Sequence, residues 1–355
     1  MPRRAKVLYW DLTQLGSGYP NGIARFIVAM AEREYGFPNT FLLPPWLEDG
    51  GLHRALSSLP GRSIVMHRFP RRRYPWRWYL EQMLDDPGIL LAPANVNRPT
   101  RMPTVLVVHD LIPYDDADYA GLQNQPIDCY RAIVERATVV VAASDYTASR
   151  ITHRFPSVQR IRRVDHALFP EPAEAVPTHA PTCPYYLFVG GAENRKRLED
   201  AVSLATALDD AALVVVGGDF VDRTVGGLCA AWPGRMPLVT IPHCTDAEMV
   251  WWFRHCRALL YPTRMEGFGL PALECLRAGR PVVARPLSSL PEVLGSFALW
   301  HDFSVSDANG LERLRVRIGQ WTASSALTTH LTRYSWNRSR DALAKIIDEV
   351  VDTCA

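Results

Sequence analysis

Short apolar runs alternate with longer amphipathic segments along most of the chain, which is the rhythm of α/β proteins with parallel sheets. Each short run predicts a buried strand, and each longer segment predicts a helix. The predicted strands are Lys6–Leu12, Gly88–Leu91, Thr104–Val108, Thr138–Ala142, Tyr185–Val189, Leu213–Val216, Leu238–Ile241, Ala258–Tyr261 and Pro281–Ala284. The pattern predicts doubly wound sheets, which bind ligands at the carboxyl ends of their strands.

The chain of 355 residues is long enough for two domains, each with its own core. Prolines concentrate between residues 168 and 184, where apolar periodicity is low, and predict an extended linker. We therefore predict a first α/β domain at 1–168, a linker at 169–184 and a second α/β domain at 185–334. The last segment, 335–355, is amphipathic and predicts a helix.

Composition narrows the class of protein. A net charge of +2 argues against a dedicated nucleic-acid binder. The seven cysteines form no C-x-x-C pair, which predicts reduced thiols rather than a disulfide framework or a zinc site. No apolar run approaches the roughly eighteen residues of a membrane span, and the amino terminus does not resemble a signal peptide. We expect a soluble, cytoplasmic protein.

The segment from Glu266 to Ala284 is the most informative part of the sequence. The pattern predicts a glycine-rich loop and a short helix between two buried strands. Pro271 suits the first helical turn, and Gly279 suits the left-handed conformation that ends a helix. This arrangement places Glu266 at the carboxyl end of a strand and Glu274 in the early turns of the helix. A helix amino terminus attracts anions, so a phosphate could lie there between two carboxylates.

These residues resemble the E-x7-E signature of retaining GT-B glycosyltransferases of family 4. The resemblance implies that Glu266 contacts the donor sugar and that Glu274 contacts the nucleotide ribose. It also implies that the loop lies along the donor phosphates, through Gly267, Phe268, Gly269 and Leu270. The alternative is an ordinary loop carboxylate followed by a solvated helical glutamate.

A second constellation is the sequence YYLFVGGAENRKRL, from Tyr185 to Leu198. A buried strand ends in Gly190 and Gly191, and Arg195 and Lys196 are predicted to open a helix. Glycines at the end of a strand let the backbone come close to a ligand. Cations that follow them in sequence can neutralise a departing diphosphate. The segment is similar to the family's second signature, which implies that Arg195 and Lys196 hold the donor diphosphate. The alternative is a solvated basic helix start.

In the first domain, a predicted strand runs into His109 and Asp110, within a segment that resembles the H-D-L-x-P element of family-4 mannosyltransferases. The resemblance implies that His109 contacts the donor sugar and that Asp110 orients it or contacts the acceptor. Gly16, Gly18 and Gly22 resemble the glycine-rich turn after the first strand, although Asn21 replaces one of its glycines. Ser144 is predicted to cap a helix, and residues 288–293 resemble a later element of uncertain role.

Basic and aromatic residues alternate in the segment 68–79, which has no counterpart in the family pattern. Such a mixture suits a membrane interface, with rings at the headgroups and arginines on anionic lipid. It also suits an acceptor-binding loop, or a helix whose basic face is exposed to solvent. Stacking on single-stranded nucleic acid is a fourth interpretation, which the small net charge disfavours, and the other three stay open.

The sequence therefore predicts a GT-B retaining glycosyltransferase, with two Rossmann-like domains facing across a cleft and a carboxyl-terminal helix crossing back to the first. Its expected partners are a nucleoside-diphosphate sugar, with GDP-mannose the best guess, and a glycan or lipid-linked glycan acceptor of a bacterial surface polysaccharide. His109, Glu266, Arg195 and Lys196 are the predicted catalytic residues. No metal or other cofactor and no nucleic acid is expected. The alternatives are a GT-B nucleotide-sugar epimerase and a non-catalytic scaffold subunit.

Overall fold

The computed structural model describes residues 7–12, 15, 22–66, 88–93, 100–116, 127–191, 193–217, 235–305 and 307–354. The chain divides into two compact units. Unit 1 comprises Met1–Ala167 with Tyr334–Ala355, and unit 2 comprises Leu168–Arg333. The proline-rich segment 169–184 contains no helix or strand and clusters with unit 2.

Unit 1 is built on a parallel sheet. Its described strands are β1 (Val7–Asp11), β2 (Asn39–Leu43), β3 (Arg62–Met66), β4 (Gly88–Ala92), β5 (Thr104–Val108), β6 (Val139–Ala142) and β7 (Ile161–Arg163). They lie in the order β3-β2-β1-β4-β5-β6-β7, and the central strands are buried on both faces, as continuous apolar runs require. The described helices that connect them are α1 (Gly22–Ala31), α2 (Gly51–Ser57), α3 (Ile112–Asp115), α4 (Ile127–Val134) and α5 (Asp145–Arg154).

Unit 2 repeats this plan with a second parallel sheet. Its described strands are β8 (Tyr185–Val189), β9 (Ala212–Val216), β10 (Leu238–Ile241), β11 (Ala258–Tyr261), β12 (Val282–Ala284) and β13 (Leu299–Trp300), in the order β10-β9-β8-β11-β12-β13. Its described helices are α6 (Leu198–Leu208), α7 (Asp246–His255), α8 (Leu270–Arg277), α9 (Leu290–Leu294), α10 (Ala308–Gln320) and α11 (Ser325–Leu331). One face of the sheet buries its side chains against α6 and α10.

The strand order of each sheet reverses at one point, because successive strands are added first on one side and then on the other. In unit 1 the reversal lies between β1 and β4, and in unit 2 it lies between β8 and β11. A crevice for ligands forms outside the carboxyl ends of the strands at such a point. In unit 2, the two segments that follow β8 and β11 carry the two predicted donor-site motifs.

The last helix, α12 (Trp336–Cys354), belongs to unit 1 although unit 2 precedes it in sequence. Leu343, Ile347 and Val350 on its apolar face are buried. Its first turns are held by contacts to α1, where the rings of Trp336 and Phe26 lie 5.9 Å apart. The two parallel sheets, together with a last helix that belongs to unit 1, confirm the predicted fold of two Rossmann-like domains with a returning helix.

All nine predicted strands are present, with bounds that differ by at most one residue. Four further strands, β2, β3, β7 and β13, were not predicted. Three of them lie at a sheet edge, where a strand is partly exposed and needs no long apolar run. Among the described residues, no helix is both long and apolar enough to cross a lipid bilayer.

Gly217, directly after β9, lies against the peptide that follows β8. A Cβ atom at this position would stand 2.2 Å from the carbonyl oxygen of Gly190. We therefore expect Gly217→Ala to lower the free energy of unfolding by about 1–3 kcal/mol, the usual cost of overpacking. Urea unfolding of the purified protein measures the change.

Gly319→Ala is the matched control, because Gly319 lies inside α10 and a Cβ atom there would meet nothing within 4 Å. Replacing a helical glycine with alanine should add up to about 1 kcal/mol of stability. A Gly217→Ala protein as stable as the control would contradict the close approach of the two backbones.

Candidate functional site

The loop and helix after β11 have the predicted local structure. Gly269 precedes α8 with φ of +97°, and its missing side chain leaves room for Leu290, whose Cδ2 would be 2.6 Å from a Cβ atom. Pro271 lies in the first turn, and Gly279 follows the helix with φ of +75°. Glu266 therefore lies on the loop at the carboxyl end of β11, and Glu274 lies within α8, as the sequence predicted.

The carboxylate of Glu266 is buried among three hydrogen-bond donors, all directed at its Oε1 atom. Lys196 Nζ donates at 2.6 Å, the Tyr261 hydroxyl at 2.9 Å and Arg195 Nη1 at 3.3 Å. Glu266 is only 8% exposed, and the Lys196 and Arg195 side chains are 11% and 14% exposed. The structure thus brings together three of the four predicted catalytic residues, from segments about 70 positions apart.

The cations keep this buried carboxylate ionised. Burial by itself raises the pKa of Glu266, but the charges of Lys196 and Arg195 and the hydrogen bonds from Lys196 and Tyr261 outweigh burial. The pKa of Glu266 is consequently lower than usual. Burial, followed by the neighbouring Glu266 carboxylate, raises the pKa of Tyr261 well above its ordinary value. Tyr261 is therefore a neutral phenol that donates a hydrogen bond to the Glu266 carboxylate.

Two serines hold the backbone of Glu266. The Glu266 amide donates to Ser288 Oγ at 3.0 Å, and the buried Ser289 hydroxyl donates to the Glu266 carbonyl at 3.0 Å. Ser288 adopts a left-handed conformation with φ of +54°, which is uncommon for a residue with a side chain. The element at 288–293 had no assigned role in the sequence, and the structure gives these serines the role of fixing the peptide of Glu266.

The basic segment after β8 does not open a helix, contrary to the prediction. Residues Asn194–Lys196 form a 3₁₀ turn, and Arg197 adopts a left-handed conformation before α6 begins. The first turn of α6 instead contains Glu199 and Asp200, which suit the positive end of the helix dipole and pair with Arg197. This arrangement leaves Arg195 and Lys196 outside the helix, where they turn towards Glu266.

Glycines beside the cluster give the backbone and Lys196 room. Gly190 has φ of +149°, and a Cβ atom there would lie 3.3 Å from Lys196 Cδ. Gly191 has open space at the Cβ position. The remaining predicted donor contacts follow β11: Gly267 and Phe268 are buried, and Leu270, the first residue of α8, and Glu274 are half-buried.

In unit 1, His109 lies just after β5 and both of its ring nitrogens are engaged. Nε2 lies 2.7 Å from the Pro93 carbonyl oxygen, which can only accept, so Nε2 carries the proton. Nδ1 then accepts from His166 Nε2 at 3.1 Å. Burial lowers the pKa values of both imidazoles, and they are therefore neutral. That His109 contacts the donor sugar stays a prediction. Such a contact requires a sugar hydroxyl to replace Pro93 or His166 as a hydrogen-bond partner of the His109 ring.

The other predicted residues of the first domain either make local backbone contacts or lie outside the described residues. Asp110 Oδ1 accepts from the Ile112 amide at 3.0 Å, just before the short helix α3, whose N-cap residue is Leu111. Ser144 caps α5 as predicted, by accepting from the Thr147 amide at 3.1 Å. Gly22 is the first residue of α1, whereas Gly16, Gly18 and the segment 68–79 lie outside the described residues. In the part of the chain that is described, no three His, Cys, Asp or Glu side chains form a metal-binding group.

Comparison with known proteins finds similar sequences and similar folds. Residues 183–312, which lie within unit 2, match the family "Glycosyl transferases group 1". A serotype-specific mannosyltransferase of Escherichia coli is 33% identical over 82 residues, which are 22% of this chain and 10% of the relative. An O-antigen chain mannosyltransferase of the same species is 37% identical over 75 residues, or 21% of this chain and 18% of the relative. The matches thus span less than a fifth of either relative's length.

A solved structure resembles the whole chain. Sucrose-phosphate synthase from Thermosynechococcus elongatus superposes with a TM-score of 0.74 at 14% identity, over 98% of this chain and 100% of that one. At this identity the likeness concerns the fold, which is the GT-B fold of two parallel-sheet domains. The chain therefore resembles family-4 glycosyltransferases in its fold, its second domain and its motifs.

The buried ion pair should matter for stability as well as for binding. Replacing Lys196 with methionine leaves the Glu266 charge with less compensation, and breaking a buried pair in this way costs roughly 3–5 kcal/mol. The double variant Lys196→Met/Glu266→Gln should regain most of that loss. Urea unfolding of the wild type, both single variants and the double variant measures the coupling.

The same loss should depend on pH. The folded-state pKa of Glu266 is lowered, so its stabilising contribution is present above the unfolded pKa of about 4.3 and is lost as pH falls through the folded value. The stability gap between wild type and Lys196→Met should therefore be wide at pH 7 and narrow in acid. A gap independent of pH would contradict the charge pairing.

Proposed function

We propose that this protein is a retaining glycosyltransferase that moves a hexose from a nucleoside-diphosphate sugar to a glycan acceptor in bacterial surface polysaccharide synthesis. The observation that carries the proposal is the meeting of Lys196, Arg195 and Glu266 outside the carboxyl ends of β8 and β11. Such a donor needs cations to neutralise its diphosphate. It also needs a hydrogen-bond acceptor, such as a carboxylate, to hold its sugar hydroxyls.

The ammonium group of Lys196 has enough N–H groups to bind the diphosphate as well as Glu266. An ammonium group has three N–H donors. Among the described residues, Lys196 Nζ contacts only Glu266 Oε1, at 2.6 Å, and the Tyr261 hydroxyl, at 3.4 Å. The third N–H can therefore bind a phosphate oxygen without breaking the contact to Glu266. Arg195 adds a second positive charge within the same cluster.

The donor sugar is proposed to be mannose carried by GDP. Two curated relatives are named as mannosyltransferases, one of them for the O-antigen chain, which supports both the sugar and the polysaccharide context. The acceptor is proposed to be a glycan or lipid-linked glycan. A peripheral contact with the inner membrane face through 68–79 belongs to the same proposal.

The proposed reaction needs no protein nucleophile and no metal. The acceptor hydroxyl attacks the anomeric carbon from the face that the diphosphate leaves, while the bond from that carbon to the phosphate oxygen breaks. The departing phosphate oxygen takes the acceptor's proton, so the products are the glycoside and the nucleoside diphosphate. Lys196 and Arg195 stabilise the negative charge that develops on the leaving group.

Sugar transfer from GDP-mannose to an isolated surface glycan, assayed in excess EDTA, tests this function. Lys196→Ala should reduce turnover by roughly two to three decades, because one lost charge on a developing anion costs several kcal/mol in the transition state. Wild-type activity should persist in EDTA. Circular dichroism and thermal unfolding establish that the variant is folded at the assay temperature.

Lys345→Ala is the matched control, since Lys345 is an exposed lysine on α12. It should retain wild-type turnover. Near-normal transfer by a folded Lys196→Ala protein would overturn the donor-site assignment. Loss of activity in EDTA with recovery in magnesium would overturn metal independence. Donor binding without transfer would favour a scaffold subunit, and epimerised donor would favour an epimerase.

The two glutamates should have separable roles. Glu274→Ala should weaken GDP binding by roughly one to two decades, because it loses a hydrogen bond between a charged carboxylate and the ribose. Glu266→Gln should reduce turnover while GDP affinity changes little. Isothermal titration calorimetry with GDP, beside the transfer assay, measures both. The reverse pattern would mean that the two roles are exchanged.

A further inference from the structure

The two oxygens of the Glu266 carboxylate have different surroundings. Oε1 accepts from Lys196, Arg195 and Tyr261. Within the described part of the chain, no donor contacts Oε2. A carboxylate with one saturated oxygen and one available oxygen is held in a fixed orientation and can still accept a hydrogen bond from a ligand.

Tyr261 is the uncharged member of this cluster, and it connects the other groups. It is the last residue of the buried strand β11, and it is 1% exposed. Its hydroxyl donates to Glu266 Oε1 at 2.9 Å and accepts from Lys196 Nζ at 3.4 Å. Lys196 Nζ also lies 5.3 Å from the centre of the Tyr261 ring, within range of a cation–π contact. The phenol therefore fixes both the carboxylate and the ammonium.

The strand gives Tyr261 a rigidity that the cations lack. Arg195 and Lys196 lie on a 3₁₀ turn and have long side chains, whereas β11 is paired with β8 and β12 on both sides. When a diphosphate attracts the cations, the phenol can keep its bond to Oε1. The orientation of the carboxylate would then survive donor binding.

We propose that Tyr261 is a positioning residue: its hydroxyl holds Oε1 of Glu266 so that Oε2 is presented to a hydroxyl group of the donor sugar. The assignment of Oε2 to a sugar rests on the proposed function. The positioning of the carboxylate by the phenol does not, and it can be measured without a substrate.

Tyr261→Phe removes the hydroxyl and keeps the ring. Carbon-13 NMR of glutamate carboxyl groups, with the Glu266 signal identified by its loss in Glu266→Gln, then reports the titration of Glu266. Because the phenol stabilises the ionised carboxylate, its removal should raise the pKa of Glu266. The acid limb of the pH profile of kcat should move to higher pH, and kcat at its plateau should fall by roughly 10- to 100-fold.

Tyr185→Phe is the matched control, because the Tyr185 hydroxyl is also buried in unit 2 but donates to the Trp252 carbonyl at 2.9 Å. It should leave the titration of Glu266 and the pH profile unchanged. A second variant carries 3-fluorotyrosine at position 261, whose more acidic hydroxyl is a stronger donor. This variant should lower the pKa of Glu266, and it removes no contact on which folding depends.

The outcomes separate the two claims. An unchanged Glu266 titration in Tyr261→Phe would overturn the positioning role, whatever the enzyme's activity. A shifted titration in a protein that transfers no sugar would support the positioning role and count against the proposed function. A shifted titration with an unchanged pH profile and kcat would overturn the assignment of Oε2 to the sugar.

Discussion

The buried negative charge of Glu266 is the constraint on which the candidate site in unit 2 depends. Glu266 is 8% exposed, and a carboxylate buried to this extent stays ionised only when cations and hydrogen-bond donors replace the lost water. Lys196 and Arg195 come from the segment after β8, and Glu266 comes from the segment after β11. The ion pair therefore joins the segments that follow β8 and β11, where the strand order reverses. The pairing of these two strands fixes its position.

The cluster also explains several features that lie around it. Gly190 lacks a side chain where Lys196 Cδ passes, and Ser288 and Ser289 fix the peptide that carries the carboxylate. Each feature limits the freedom of a charged group before any ligand arrives. Such pre-organisation is how a site stabilises charge that develops during a reaction without reorganising at that moment. This pre-organisation supports the proposed transfer of a sugar from a nucleoside diphosphate.

The sequence predicted the parts of the fold that have a strong local signal. Continuous apolar runs predicted the buried strands, and Pro271 and Gly279 predicted the limits of α8. The edge strands β3, β7 and β13 were missed because their few residues are partly exposed. The basic segment was assigned to a helix start because composition does not reveal that Arg197 adopts a left-handed conformation.

Within the site, the charged members could be predicted and their supports could not. Arg195, Lys196 and Glu266 belong to motifs with a recognisable spacing. Tyr261 reads in the sequence as one more residue of an apolar strand, and its role arises from a contact five positions along the chain. A hydroxyl acting through a carboxylate has no pattern of its own, so only the fold reveals it.

The most direct test of the central claim is a crystal structure of the protein with an intact nucleoside-diphosphate sugar. We expect the diphosphate beside Lys196 and Arg195, a sugar hydroxyl within hydrogen-bond distance of Glu266 Oε2, and Oε1 still bonded to Tyr261. A donor bound away from the carboxyl ends of β8 and β11, or a sugar that contacts neither oxygen of Glu266, would contradict the account.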